Sequence, residues 1–104
     1  MLTGSERDDA LRALPDWCYA AENGGRIFRT FQFVNFESAF AFMTAMARFS
    51  ESMDHHPEWR NVYNRVDIDL TTHDAGGVTK KDIAWAHEAD GLFSRMAARG
   101  NQDS

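Results

Sequence analysis

The segment 36–53 carries apolar side chains at helical spacing along two separate stripes, and this limits the possible folds most strongly. One stripe consists of Phe36, Phe40, Met43 and Ala47, and the other of Phe42, Met46, Phe49 and Met53. A helix that lies on a single sheet needs only one apolar stripe. We therefore predict that one stripe covers a sheet and the other meets a second subunit. A single deeply buried helix is the alternative.

The segments on both sides of this helix change to an apolar side chain at every second residue, which is typical of strands. Residues 17–34 predict a hairpin whose turn lies at 22–25, because Asn and Gly there tolerate positive φ. Residues 59–73 predict a second hairpin, with the chain reversal at Asn64-Arg65.

Helix-capping residues mark the two ends of the domain. Thr3 or Ser5 can cap a short first helix, and Thr79 can cap the last helix with Asp82 at the third helical position. The order of elements predicts an α+β fold, a two-layer α-β-β-α-β-β-α domain with a four-stranded antiparallel sheet and helices packed on one face. We expect a single domain over residues 1–98 and a frayed tail over residues 99–104, which carry no apolar anchor.

Composition narrows the possible partners and compartments. The chain has 11 Lys and Arg against 16 Asp and Glu, a net charge of −5, which argues against nucleic acid as a partner. The one cysteine, Cys18, cannot form an internal disulfide and fits a reducing compartment. We expect a cytoplasmic protein with no membrane span and no export signal, because no apolar run of 18 residues and no leader pattern is present.

Three of the four histidines fall between positions 55 and 73. If Asn64-Arg65 is a two-residue loop, Tyr63 pairs with Val66, and the same register places His56 opposite His73. A three-residue loop would shift the register by one. In either register the imidazoles converge at the open end of the hairpin, where acidic and aromatic side chains also collect.

Three interpretations of the cluster remain open from the residues alone. Imidazoles with flanking acids suit general acid–base catalysis near neutral pH. Three histidines and a carboxylate could also hold zinc or iron, although adjacent His55 and His56 would point to opposite faces of a strand. The third interpretation is structural: solvated histidines at the edge of a loop take part in neither acid–base chemistry nor metal binding. From the residues alone we rank this structural interpretation first, acid–base chemistry second and a metal site third.

The spacing Glu51-x3-His55-His56-Pro57-x5-Tyr63-x9-His73-x8-Asp82 resembles the signature of the pterin-4a-carbinolamine dehydratases. The run 54–59, the pair Thr72-His73 and the aromatic pattern that begins at Phe36 strengthen the resemblance, which covers roughly residues 11–97.

The resemblance implies an enzyme that converts 4a-hydroxytetrahydropterin to quinonoid dihydropterin and water, which recycles the pterin of aromatic amino acid hydroxylases. It implies no metal and no cofactor, and homodimers or homotetramers that form through the helices. By resemblance the catalytic residues are His55, His56 and His73. The implied substrate-binding positions are Pro57, Thr72, Asp74, Glu51, Trp17 and Asp82.

Two other functions follow from the same resemblance. Some animal members of that family act as dimerisation cofactors of a homeodomain transcription factor. A pterin-binding protein without this turnover is the other alternative.

Overall fold

The computed structural model describes the backbone of residues 1–103 and the side chains of residues 1–98. The helices are α1 (Gly4–Arg12), α2 (Phe36–Met53) and α3 (Lys80–Asp103), and the strands are β1 (Cys18–Ala20), β2 (Arg26–Gln32), β3 (Glu58–Val62) and β4 (Arg65–Leu70). Two short 3₁₀ helices, Glu22–Gly24 and His73–Ala75, follow β1 and β4. The frayed tail over residues 99–104 stays a prediction, because those side chains lie outside the described part.

The four strands form one antiparallel sheet in the order β1-β2-β4-β3, which confirms the predicted α+β fold. Alternate side chains of β2 and β4 are buried on one face of the sheet, where α2 and α3 cover them. The buried core includes Ile27, Phe31, Val66, Ile68 and Leu70 from the sheet and Phe42, Met46, Trp85, Ala86 and Ala89 from the helices. Hydrophobic burial on one face therefore holds the two layers together. No described helix is both long and apolar enough to cross a membrane.

The two apolar stripes of α2 have different environments. Phe42 and Met46 of one stripe are buried against the sheet, as predicted. On the other stripe Phe36 is 44% exposed and Phe40 is 54% exposed, and their rings contact each other. A second subunit on this stripe stays a prediction.

The predicted register of the second hairpin is wrong by two residues. The turn lies at Tyr63-Asn64, so that Val62 pairs with Arg65 and Glu58 with Asp69. The ladder begins only at Glu58, and it therefore does not place His56 opposite His73.

Contacts that are distant in sequence select this turn. Tyr63, not Asn64, takes the left-handed conformation, with φ at 52°. The Asn61 amide donates to the carbonyl oxygens of Tyr63 and Arg65, at 3.0 and 2.9 Å. The Asn64 amide donates to the carbonyl oxygen of Phe33, beyond the end of β2, at 2.9 Å. The side-chain amides thus hold the turn one residue earlier than left-handed propensity predicts.

The 3₁₀ turn that carries His73 packs directly against the turn of the first hairpin. Gly24 has a φ of +94°, and a Cβ atom there would collide with the carbonyl oxygen of Gly76. Glycine at position 24 therefore allows the two backbones to approach each other. The first hairpin in this way supports the segment from which His73 projects.

Candidate active site

The end of α2 determines where His55 and His56 lie. Asp54 takes the left-handed conformation, with its N–H donating to the Glu51 carbonyl at 3.3 Å. The His55 N–H donates to the Ser50 carbonyl at 3.0 Å, which completes a Schellman motif. The chain turns inward at this point, so that the His55 side chain is buried and His56 stays exposed.

The Asp82 carboxylate at the start of α3 contacts the His55 imidazole. Asp82 has no exposed surface, and its Oδ1 lies 2.5 Å from Nε2 of His55. Its Oδ2 accepts the Thr72 hydroxyl at 2.9 Å and the Thr79 backbone N–H at 2.9 Å. The Thr79 hydroxyl lies 2.8 Å from the Thr72 hydroxyl and accepts the Lys81 N–H at 3.2 Å. One carboxylate therefore caps α3, as the sequence predicts, and joins it to α2 and to the segment after β4.

The other two histidines pair with carboxylates on the surface. Nε2 of His56 lies 2.5 Å from Oε2 of Glu51, and Nε2 of His73 lies 3.2 Å from Oε1 of Glu58. Each of the three imidazoles thus contacts its own carboxylate through Nε2. Among the described residues Nδ1 forms no hydrogen bond with the protein in any of the three.

This arrangement suits proton transfer. A carboxylate that accepts Nε2–H fixes the tautomer of a neutral imidazole and stabilises the imidazolium. The same ring then offers Nδ1 as a base when neutral, or Nδ1–H as an acid when protonated. Imidazole is the side chain whose unperturbed pKa lies near neutral pH, which suits it to general acid–base catalysis.

Comparison with known proteins identifies the family. The family model for pterin 4 alpha carbinolamine dehydratase matches residues 1–92. The chain belongs to this family. A relative from Rhizorhabdus wittichii, provisionally named a pterin-4-alpha-carbinolamine dehydratase, is 57% identical over 93 residues, which are 88% of this chain and 93% of the relative.

Two solved structures share the fold. A crystal structure from Brucella melitensis, described as a transcriptional coactivator/pterin dehydratase, is 46% identical with a TM-score of 0.83, over 88% of this chain and 96% of that one. A pterin dehydratase-like protein identified as a RuBisCO assembly factor in the alpha-carboxysome is 24% identical, with a TM-score of 0.65, over 75% of this chain and 89% of that one. The second likeness shows the fold alone.

The resemblance to the pterin-4a-carbinolamine dehydratases implies a set of site residues. The structure places only some of them in contact with one another. His55, Asp82 and half-buried Thr72 form one hydrogen-bonded network, and Glu51 joins His56 at the surface. Half-buried Pro57 follows His56, and exposed Asp74 lies in the 3₁₀ helix beside His73.

Trp17 lies elsewhere. It is buried in the core, where its indole N–H donates to Asp90 at 2.9 Å and its ring meets Phe31 edge-on. Asp90 follows Asp82 by about two turns of α3, or about 12 Å along the helix. A role for Trp17 at the substrate stays a prediction of the resemblance.

Sequence reasoning missed Glu58 as the partner of His73. It also missed Ser50 and Trp85, whose side chains are hydrogen-bonded to each other next to the backbone of His55. With the turn at Tyr63-Asn64, Glu58 opposes Asp69 near the end of β4, close to the 3₁₀ helix that begins at His73. The position of the turn was thus the signal that could have found Glu58.

Asp82, Glu51 and Glu58 each contact a different imidazole, so their carboxylates do not gather around one point. In the described part of the chain no three His, Cys, Asp or Glu side chains are grouped closely enough to hold one metal ion.

Proposed function

We propose that this member of the pterin-4a-carbinolamine dehydratase family removes water from 4a-hydroxytetrahydropterin to give the quinonoid dihydropterin. The observation that carries the proposal is the bond between His55 and the buried Asp82 carboxylate, next to the segment Thr72-His73. The family supports the substrate class, and the geometry supports acid–base chemistry by histidine.

The reaction needs an acid and a base at neighbouring atoms of the pterin. A protonated imidazole gives its proton to the 4a-hydroxyl group, the C4a–O bond breaks, and water leaves. A neutral imidazole takes the proton from N5, and the electron pair of that N–H bond forms the C4a=N5 double bond. Oxidation states do not change overall, and imidazole and carboxylate groups suffice for every step.

We assign the proton transfers to His55, His56 and His73. Asp82 and Glu51 orient and stabilise the first two rings from their Nε2 sides. Thr72, Pro57 and Asp74 border the pterin in this proposal. We place the reaction in the cytoplasm, because the single cysteine fits a reducing compartment.

The experiment is a dehydration assay on synthetic 4a-hydroxytetrahydropterin with His55→Ala, His73→Ala and His87→Ala. We expect turnover to fall by about 10²-fold or more in the first two variants, the usual size of an acid–base contribution. His87 is exposed on α3, and its variant is the matched control that keeps the wild-type rate.

Two outcomes would contradict the proposal. Wild-type rates in folded His55→Ala and His73→Ala would remove histidine from the chemistry. Loss of activity on chelation, with recovery on adding zinc, would favour a metal site instead.

We also propose that copies of the chain associate through the outer face of α2. The exposed rings of Phe36 and Phe40 lie on that face. An apolar groove of about 350 Å³ lies between the segment after β2 and α3, and its lining includes Phe33, Val34, Phe93 and Met96. Light scattering at micromolar concentration should give a multiple of 11.8 kDa, and the mass of one chain would overturn this proposal.

A second candidate function is coactivation of transcription through a protein partner. It is favoured by the description of the Brucella melitensis structure as a transcriptional coactivator/pterin dehydratase and by the same exposed face of α2. Partner binding would survive His55→Ala and fail with Phe40→Asp, whereas dehydration would show the opposite pattern.

A further inference from the structure

A second polar link joins α2 to α3 beside the bond between His55 and Asp82. The indole N–H of Trp85 donates to the Ser50 hydroxyl oxygen at 2.8 Å. Trp85 is fully buried and Ser50 is 2% exposed, so that water cannot replace either partner. A buried hydrogen bond that loses one partner leaves a polar group unsatisfied, which makes this link sensitive to substitution.

Ser50 connects this link directly to the backbone of His55. Its hydroxyl donates to the Met46 carbonyl at 2.7 Å, and its own carbonyl accepts the His55 N–H at 3.0 Å. Ser50 therefore sits at the last turn of α2, where the chain turns inward and directs the His55 side chain toward α3. A shift of Ser50 would move the backbone from which that imidazole projects.

Trp85 occupies the matching place on α3. It follows Asp82 by three residues and so lies on the same side of the helix, one turn later. Its ring meets Trp59 of β3 edge-on, with 6.2 Å between the centroids and an interplanar angle of 75°. Trp85 is thus fixed by both the sheet and α2, and it holds the first turn of α3 that carries Asp82.

We propose that Ser50 and Trp85 form a positioning pair that sets the contact between His55 and Asp82. The inference rests on the proposed function in that the positioned imidazole is the proposed acid or base. The two links span the same junction, and a His–carboxylate contact of 2.5 Å tolerates little relative movement of the helices. Displacing a reacting group by about 1 Å can cost about 10²-fold in rate.

The test compares Ser50→Ala with Thr44→Ala. Thr44 also donates its hydroxyl to a carbonyl four residues earlier, that of Phe40 at 2.9 Å, but it does so on the exposed side of α2 with no described indole partner. We expect Ser50→Ala to lower kcat about tenfold at unchanged KM, and Thr44→Ala to leave both unchanged. Trp85→Phe should match Ser50→Ala, and the double variant should be no slower than either single one, because all three lack the same bond.

A spectroscopic readout separates positioning from stability. The imidazole Nε2–H proton of His55 should give a slowly exchanging NMR signal in the wild type and in Thr44→Ala. That signal should broaden or shift in Ser50→Ala and return in Ser50→Thr, which keeps the hydroxyl group. A Ser50→Ala variant that lost only stability, with unchanged kcat and an unchanged signal, would overturn the inference. A wild type without dehydratase activity would refute the proposed function, and the NMR signal would still decide the positioning.

Discussion

Helix α3 carries one fully buried carboxylate, Asp82, and one partly exposed carboxylate, Asp90, and their surroundings differ. Asp82 in its first turn meets the His55 imidazole, the Thr72 hydroxyl and the Thr79 backbone N–H. Asp90, about two turns later, meets the Arg29 guanidinium at 2.6 Å and the Trp17 indole at 2.9 Å.

The partners decide what each carboxylate can do. The Arg29 side chain is 14% exposed, and its guanidinium lies over the Phe31 ring at 4.1 Å. Guanidinium and indole N–H groups do not release protons at physiological pH, so the partners of Asp90 offer no proton for acid–base chemistry. Imidazole is the side chain whose unperturbed pKa lies in that range, so the Asp82 end holds the group that suits the proposed acid–base chemistry.

The largest expected effect is the difference in dehydration rate between substitutions of Asp82 and Asp90. Asp82→Asn should lower dehydration by about 10²-fold or more, because the amide no longer stabilises the His55 imidazolium. Asp90→Asn should change kcat by less than about threefold, since neither of its contacts involves a titrating partner. Circular dichroism establishes that both variants are folded. Equal losses of activity in the two variants would remove the distinction between the two ends of α3.

A smaller effect concerns stability at the Asp90 end. Arg29→Met keeps an apolar stem over Phe31 but leaves Asp90 without its cation. We expect the free energy of unfolding in urea to fall by about 2 kcal/mol, less than for a fully buried pair because Asp90 is partly exposed. In Arg12→Met, which removes an exposed ion pair with Asp9, the change should stay below about 0.5 kcal/mol. If both variants lose the same stability, the Asp90 cluster is not the structural counterpart of the Asp82 network.

The smallest expected effect is on stability and concerns Glu6, a third carboxylate that also caps a helix. Glu6 of α1 holds the same cap position as Asp82, and hydrogen bonds from the Thr3 backbone and then its side chain lower the pKa of Glu6 below 4.5. A lowered folded pKa stabilises the protein above pH 4.5, and this contribution disappears as the pH falls through the folded value. Glu6→Gln should therefore lower the urea midpoint slightly at about pH 7, and this effect should shrink as the pH is lowered toward about 3. An equal effect at both pH values would show that charge does not matter at this cap.

Local patterns predicted the elements well. The change from helical spacing to alternation located α2 and both hairpins. Thr3, one of the two candidate caps, and the pair Thr79–Asp82 identified two helix starts. These features depend on residues close together in sequence, where propensity and capping geometry act directly.

Contacts between distant segments could not be predicted in the same way. The turn of the second hairpin depends on the Asn64 amide reaching the backbone at Phe33, and this moved the register by two residues. Arg29 and Asp90 are partly buried polar residues that lie far apart in sequence, and their ion pair shows only in the folded structure. The sequence-based prediction that the histidines converge relied on the β3–β4 ladder, whereas the Asp82 carboxylate is what joins His55 to the segment before His73.

The position of Asp82 in the chain has a consequence for biosynthesis. The ribosome makes His55, His56 and His73 before it makes Asp82. The Asp82 carboxylate caps the start of α3 and also contacts the His55 imidazole. A nascent chain that stops short of that helix carries all three imidazoles but lacks the buried acceptor for the first of them. The proposed proton-transfer site and the start of α3 therefore depend on the same residue, and a nascent chain should gain dehydratase activity only after Asp82 has been made and α3 has folded.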